Sequence, residues 1–131
     1  MFVDASAWTA IILNEPEAED FEARLLTSGS VLTSALSNWE TVRAIMKVTR
    51  RDQARVEAIV AGYQFGAGAR VIPIGEAEQR IALDAHARYG KGVHPARLNM
   101  GDCFSYACAK VHGAPLLYKG EDFALTDIEA A

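Results

Sequence analysis

"MFVDASAWTAIILNE", residues 1–15, runs a short apolar strand, Phe2 and Val3, into a segment of helical character and places one carboxylate, Asp4, at the junction. A carboxylate directly after an apolar strand is costly to desolvate unless something pairs with it. Ser6 is a good N-cap for the helix that follows, which leaves Asp4 without that duty. In an open parallel α/β sheet the carboxyl ends of the strands are where ligands bind. The position of Asp4 therefore matters only if the remaining chain builds such a sheet.

The pattern downstream predicts one. After Pro16, "EAEDFEARLLTSG" carries Ala18, Phe21 and Leu25 on one helical face and stops at Gly29, a C-terminal glycine cap. "VLTS" is a second strand, and Ser34 caps "ALSNWETVRAIMKVT", where Ala35, Trp39, Val42 and Met46 follow helical spacing with Glu40 beside them. Trp39 is read as core. "RDQARVEAIVAGYQFGAGA" is a fourth helix and "RVIPI" a third strand, its proline marking an edge. "GEAEQRIALDAHARYG" is a fifth helix ended by Gly90. The basic loop "KGVHPARLN" leads into "LNMGDCFSYACAK", a small, apolar helix opened by Asp102; "APLLYK" is a fourth strand, and "GEDFALTDI" follows it with Asp122. Strands alternating with helices imply a mainly parallel sheet of four to five strands covered on both faces, in one domain over residues 1–131.

Composition narrows the function. A net charge of −4 argues against coating nucleic acid through a broad positive field, though not against local contacts. No apolar run approaches the roughly 20 residues of a membrane helix, and no basic region precedes an apolar one at the N-terminus, so a cytoplasmic protein without membrane contact is expected. Cys103 and Cys108, five apart in one helix, suit neither a disulfide nor a zinc site and are read as packing residues. His86, His94 and His112 neighbour no plausible nucleophile. The glycines of "GAGA" follow a helix and lack the phosphate-loop pattern.

Four acids remain: Asp4 ends the first strand, Glu40 lies on the helix after the second, Asp102 opens the helix before the fourth, and Asp122 follows the fourth. Each has an ordinary structural reading by itself, Asp102 as a first-turn answer to the helix dipole, Glu40 as a solvated helix face, Asp122 as a turn residue. A doubly wound sheet brings all four to one edge. Clustered carboxylates need a cation, protons or arginines to coexist near neutral pH. Hard oxygen ligands without His or Cys select Mg²⁺ or Mn²⁺, ions suited to phosphoryl chemistry.

The stretches "MFVDASA", "SNWE", "RLNMGDCFSYACAK" and "PLLYKGEDFALTDI" together resemble the PIN-domain ribonucleases, specifically the VapC toxins of type II toxin–antitoxin systems; "YGKGVHPARLN" resembles the loop these proteins carry before the third acid. The resemblance spans the chain. It implies a PIN-like three-layer α/β/α sandwich and a Mg²⁺-dependent endoribonuclease, with Mn²⁺ as a substitute ion. It further implies hydrolysis of tRNA or ribosomal RNA by metal-activated water, a homodimer, and inhibition by a small VapB-type antitoxin. By position, Asp4 and Asp102 match the principal metal-binding aspartates, Glu40 and Asp122 the second and fourth acids, and Ser6 a supporting hydroxyl. Asp127 is either a supporting acid or structural. Arg43, Lys47, Arg88, Lys91 and Arg97 are candidate RNA phosphate contacts, beside Arg50, Arg51 and His94. Trp8, Ile12, Phe21 and Leu25 on the early helices are either core or the wall of a groove for an apolar antitoxin segment. A PIN-fold binding module without catalysis and a metal phosphohydrolase acting on DNA stand as alternatives.

Overall fold

A computed structural model describes all 131 residues. In chain order it contains β1 (Phe2–Val3), α1 (Ala5–Ile12), α2 (Ala18–Thr27), β2 (Leu32–Ser34), α3 (Ala35–Thr49), α4 (Gln53–Gly66), β3 (Arg70–Ile72), α5 (Glu76–Tyr89), α6 (Met100–Val111) and β4 (Leu116–Leu117), with a 3-10 turn at Phe123–Leu125. The four strands are all parallel in the order β3-β2-β1-β4, and a bridge from Leu116 to Ala130 lays the C-terminal tail beside β4. β3 lies at an edge, as Pro73 predicts.

Period-two alternation divides the core between the faces of the sheet. Phe2, Leu32 and Leu116 point into the cluster built with Ala82, Ala85, Tyr106 and Ala107 of α5 and α6. Their neighbours Val3, Val31 and Leu117 join Trp8, Ile11, Phe21 and Leu25 of α1 and α2 on the other side. α3 and α4 pair around Ile45, Val56 and Val60. The result is the expected α/β/α sandwich. Cys103 and Cys108 are buried free thiols, pushed up by burial to about 11 and about 12, as befits packing residues.

The chain runs from β1 outward to β2 and β3, then crosses to place β4 on the opposite flank of β1. A crevice opens where an α/β sheet reverses its direction of winding, at the carboxyl ends of the two strands involved. The residues just beyond β1 and β4 are therefore the ones this topology presents to a ligand.

Three local expectations differ from the structure. α1 is capped by Asp4, whose carboxylate accepts the Ser6 N–H at 2.8 Å, so Ser6 sits inside the helix. α2 ends at Thr27 because Ser28 turns extended (φ −77, ψ 130), without a left-handed glycine. In α3 the buried stripe is Ser37, Thr41 and Ile45, whereas Trp39 is 62% exposed. The hydroxyls are buried cheaply because they bond locally: Thr41 Oγ1 donates to the Ser37 carbonyl at 2.7 Å, and Ser37 Oγ lies 3.0 Å from Ser34 Oγ. That small-residue face lets α3 approach α1 and α6 closely, so Trp39 is turned outward, with the Arg43 guanidinium 5.8 Å from its ring.

Candidate active site

At the crevice a cleft of about 450 Å³ is lined by Asp4, Ala5, Ser6, Thr9, Glu15, Glu40, Ala44, Asp102 and Lys119. Asp4 arrives from the end of β1 and is buried at 5% exposure. It is held by three donors: Ser6 Oγ at 2.5 Å and Ser6 N–H at 2.8 Å to Oδ2, and Ser105 Oγ at 2.6 Å to Oδ1. A carboxylate offers about four acceptor positions, so roughly one lone pair of Asp4 remains for a ligand.

Asp102 stands in the first turn of α6 in a reciprocal cap. Its Oδ2 accepts the Asn99 N–H at 2.8 Å while Asn99 Oδ1 accepts the Asp102 N–H at 3.1 Å. The dipole reading of Asp102 is thus correct and incomplete, because Oδ1 makes no such bond. Burial raises its carboxyl to about 6 against the Asn99 N–H, which favours the charged form; the charges of Asp4 and Asp122 add to the rise.

Glu40, half-buried on α3, makes no hydrogen bond to either partner acid. Burial first, then Asp4, then Asp102, raise its carboxyl to about 7. Its carboxylate lies against Gly101 of α6 so closely that a Cβ there would overlap both oxygens and the carboxyl carbon. Gly101 therefore creates the space in which α3 and α6 bring their acids together. Asp122 precedes the 3-10 turn, exposed and outside the cleft lining, near enough to Asp102 to disfavour its charge.

The donor set fits a hard divalent cation. Asp4, Glu40 and Asp102 supply only oxygens, retain free lone pairs, and two of them resist ionisation as they stand. No group of three or more His, Cys, Asp or Glu side chains stands close enough to surround one ion as they are placed, so an ion here would draw on two of these carboxylates or on their rearrangement.

The sequence-predicted cations spread more widely. Arg43 and Lys47 project, exposed, from α3, and Lys91 and Arg97 from the loop before α6, none of them lining the cleft. Arg97 holds a left-handed backbone (φ 53). Arg88 is already committed, to Asp84 at 3.3 Å and to Asp127 at 3.1 Å. Asp127 in turn accepts the Tyr106 hydroxyl at 2.6 Å and faces Lys110 Nζ at 3.6 Å; the Tyr106 hydroxyl first, then Arg88 and Lys110, hold its carboxyl at about 2. Asp127 thus ties the C-terminal tail to α5 and α6.

Two residues bonded to the site lie outside the set predicted from the sequence. Ser105, three residues after Asp102, shares its helix face and reaches Asp4; Lys119, two residues after β4, leaves the sheet at the same edge as Asp4. Both signals are positional: the i, i+3 spacing on α6 and the "YKG" that follows β4.

A second, apolar groove of about 780 Å³ lies between α1, α2 and α4, lined by Trp8, Ile11, Leu25, Ile59, Tyr63 and Ala67 among others. Leu26 and Phe65, nearly fully exposed, belong to the same helices. Ile12 packs instead against the pair formed by α3 and α4.

Comparison with known proteins matches the PIN domain over residues 1–129. Ribonuclease VapC42 of Mycobacterium tuberculosis is 40% identical over 132 residues, covering 100% of this chain and 98% of its own. Ribonuclease VapC of Mycolicibacterium smegmatis is 39% identical over 130 residues, with 99% and 98% covered. Among solved structures, that of Mycobacterium tuberculosis VapC20, described as a Sarcin-Ricin loop cleaving toxin, superposes with a TM-score of 0.76 at 19% identity, covering 99% of this chain and 97% of that one. That likeness is one of fold.

Proposed function

The chain belongs to the PIN-domain family and within it to the VapC ribonucleases, and from that premise we propose that it is a Mg²⁺-dependent endoribonuclease toxin neutralised by a VapB-type antitoxin. The observation that carries the reading is the meeting of Asp4, Glu40 and Asp102 in one cleft at the switch point of the sheet. Asp4 and Asp102 would hold the ion, Mg²⁺ or Mn²⁺, while Glu40 and Asp122 complete or tune its surroundings. A divalent ion so placed supplies Lewis-acid polarisation of a phosphate oxygen and eases ionisation of an attacking water.

The chain's own groups do the positioning. Ser6 and Ser105 fix both oxygens of Asp4, and the reciprocal cap with Asn99 fixes Asp102. Gly101 admits Glu40 to the space between them. Glu40, raised to about 7, can hold a proton near neutrality in the absence of a compensating charge. Arg43, Lys47, Lys91 and Arg97 are free to meet phosphates of a structured RNA such as tRNA or ribosomal RNA, and Arg88 would have to leave its ion pairs to do so.

The antitoxin reading is supported by the groove between α1, α2 and α4, whose mainly apolar lining suits the apolar face of an amphipathic segment. A homodimer is part of the same proposal. No helix is long and apolar enough to cross a membrane, in keeping with action on RNA in the cytoplasm.

The test is cleavage of total RNA by purified protein with Mg²⁺ or Mn²⁺, run beside Asp102→Asn and Asp4→Asn proteins purified identically. Metal-dependent cleavage lost in both variants supports the reading. Equal cleavage by all three proteins would refute it, since a contaminant would then explain the activity.

A further inference from the structure

The cleft has a charge problem that its acids do not solve. An RNA phosphodiester entering it meets Asp4, Glu40 and Asp102, and of the nine residues lining it Lys119 is the single cation. Lys119 is not free. Its Nζ lies 2.7 Å from Glu15 Oε2 and 3.0 Å from Glu17 Oε2, both carried by the connection between α1 and α2. Asn14 takes a left-handed conformation (φ 53) where that connection leaves α1. Glu17 Oε2 is shut off from solvent beside that ammonium, and Lys119 together with the Glu17 backbone holds the Glu17 carboxyl below its ordinary value.

The backbone of Lys119 belongs to the same site: its N–H donates to Ser6 Oγ at 3.0 Å, and Ser6 Oγ donates to Asp4 Oδ2. Main chain and side chain thus join the metal-side aspartate to the Glu15–Glu17 pair through one residue. A tie between β4 and the α1–α2 connection needs only one acid, and an open ion pair adds little stability. An ammonium on a four-carbon stem, with three rotatable donors, is suited to exchanging one set of anionic oxygens for another.

We propose that Lys119 is the phosphate-contacting residue of the cleft, held by Glu15 and Glu17 until a phosphodiester oxygen of the bound RNA displaces them. The proposal rests on the ribonuclease reading above and adds to it a substrate-binding residue with its own built-in competitor. Glu15 and Glu17 mimic the phosphate, so they set the affinity threshold for RNA without touching the metal-side acids.

The experiment measures binding of a fluorescein-labelled RNA hairpin to the full-length Asp102→Asn protein by fluorescence anisotropy across a salt series. Adding Lys119→Met should weaken binding about five- to tenfold and reduce the slope of log affinity against log salt by about 0.7 to 1. Lys119→Arg should keep the slope. Adding Glu15→Gln with Glu17→Gln should tighten binding about threefold or more, by freeing a charge-assisted contact, and that gain should vanish when Lys119 is Met. A tie that is only structural would leave the slope unchanged. An equal gain from the two glutamines without Lys119 would mean simple removal of repulsion. Either result, or no RNA binding at all, would overturn the proposal. Wild-type protein that binds the hairpin but cuts no RNA in Mn²⁺ would overturn the ribonuclease reading while leaving the role of Lys119 to the binding data.

Discussion

Glu40→Gln should stabilise the metal-free protein at alkaline pH and abolish its function. Burial and the charges of Asp4 and Asp102 raise the Glu40 carboxyl from 4.5 to about 7. Between those values the folded protein binds a proton that the unfolded chain releases, so its stability falls as pH rises through that window and stays low above it. A shift of that size bounds the cost of the charge at about 3 kcal/mol. Because Glu40 is half open to cleft solvent, screening reduces this to about 1–2 kcal/mol. Glutamine keeps the shape over Gly101 and removes the charge. For a domain of this size the change corresponds to about 3–6 °C in Tm. The assay is thermal unfolding of wild type and Glu40→Gln after chelation, from pH 4 to pH 8.5. The difference should be near zero at pH 4, grow through pH 5–7 and level off above. A saturating excess of Mn²⁺ should reverse it, because only a site intact in the folded state gains from ligand binding. A difference independent of pH would mean that packing, not charge, separates the two proteins, and the electrostatic account of the cleft would fail.

Ser105→Ala leaves Asp4 Oδ1 without its buried donor and should cost about 1–3 kcal/mol in chemical denaturation, with a loss of cleavage larger than instability explains. Gly101→Ala drives a methyl group into the Glu40 carboxylate and should reduce the Mn²⁺-induced rise in Tm, read by differential scanning fluorimetry; an unchanged rise would show that Glu40 stands apart from the ion. Asp127 is held at about 2, chiefly by the Tyr106 hydroxyl and also by Arg88 and Lys110, against 3.8 ordinarily. Its contribution is therefore present above pH 4 and lost as pH falls towards 2. Asp127→Asn should lower stability at pH 7 by less than about 1 kcal/mol, given its exposure, without altering the Mn²⁺ response.

Much of this arrangement is legible in the sequence because it rests on local patterns. The strand-to-acid step at Val3–Asp4, the Ser34 cap, the proline-marked edge at β3 and the alternation of strands with helices specify a wound parallel sheet, and the sheet carries Asp4 and the end of β4 to one edge. Hydrophobic spacing misled where two faces of a helix compete. Ala35, Trp39, Val42 and Met46 match a buried stripe as well as Ser37, Thr41 and Ile45 do, and only the packing of α3 against α1, α4 and α6 decides between them. Serine favours the N-cap, which points to Ser6, yet the aspartate two residues earlier has the longer reach and the extended backbone. Ser105 and Lys119 are marked in the sequence by position only, and their partners, Asp4, Glu15 and Glu17, lie about a hundred positions away along the chain.

The central claim is that Asp4 and Asp102 hold a divalent cation in this cleft. The most direct measurement is an anomalous difference map from crystals grown or soaked with Mn²⁺. A peak between the carboxylates of Asp4 and Asp102, absent from Asp102→Asn crystals treated in the same way, is the result predicted. An empty cleft at Mn²⁺ concentrations that support RNA cleavage, or a peak held by other residues, would contradict the account.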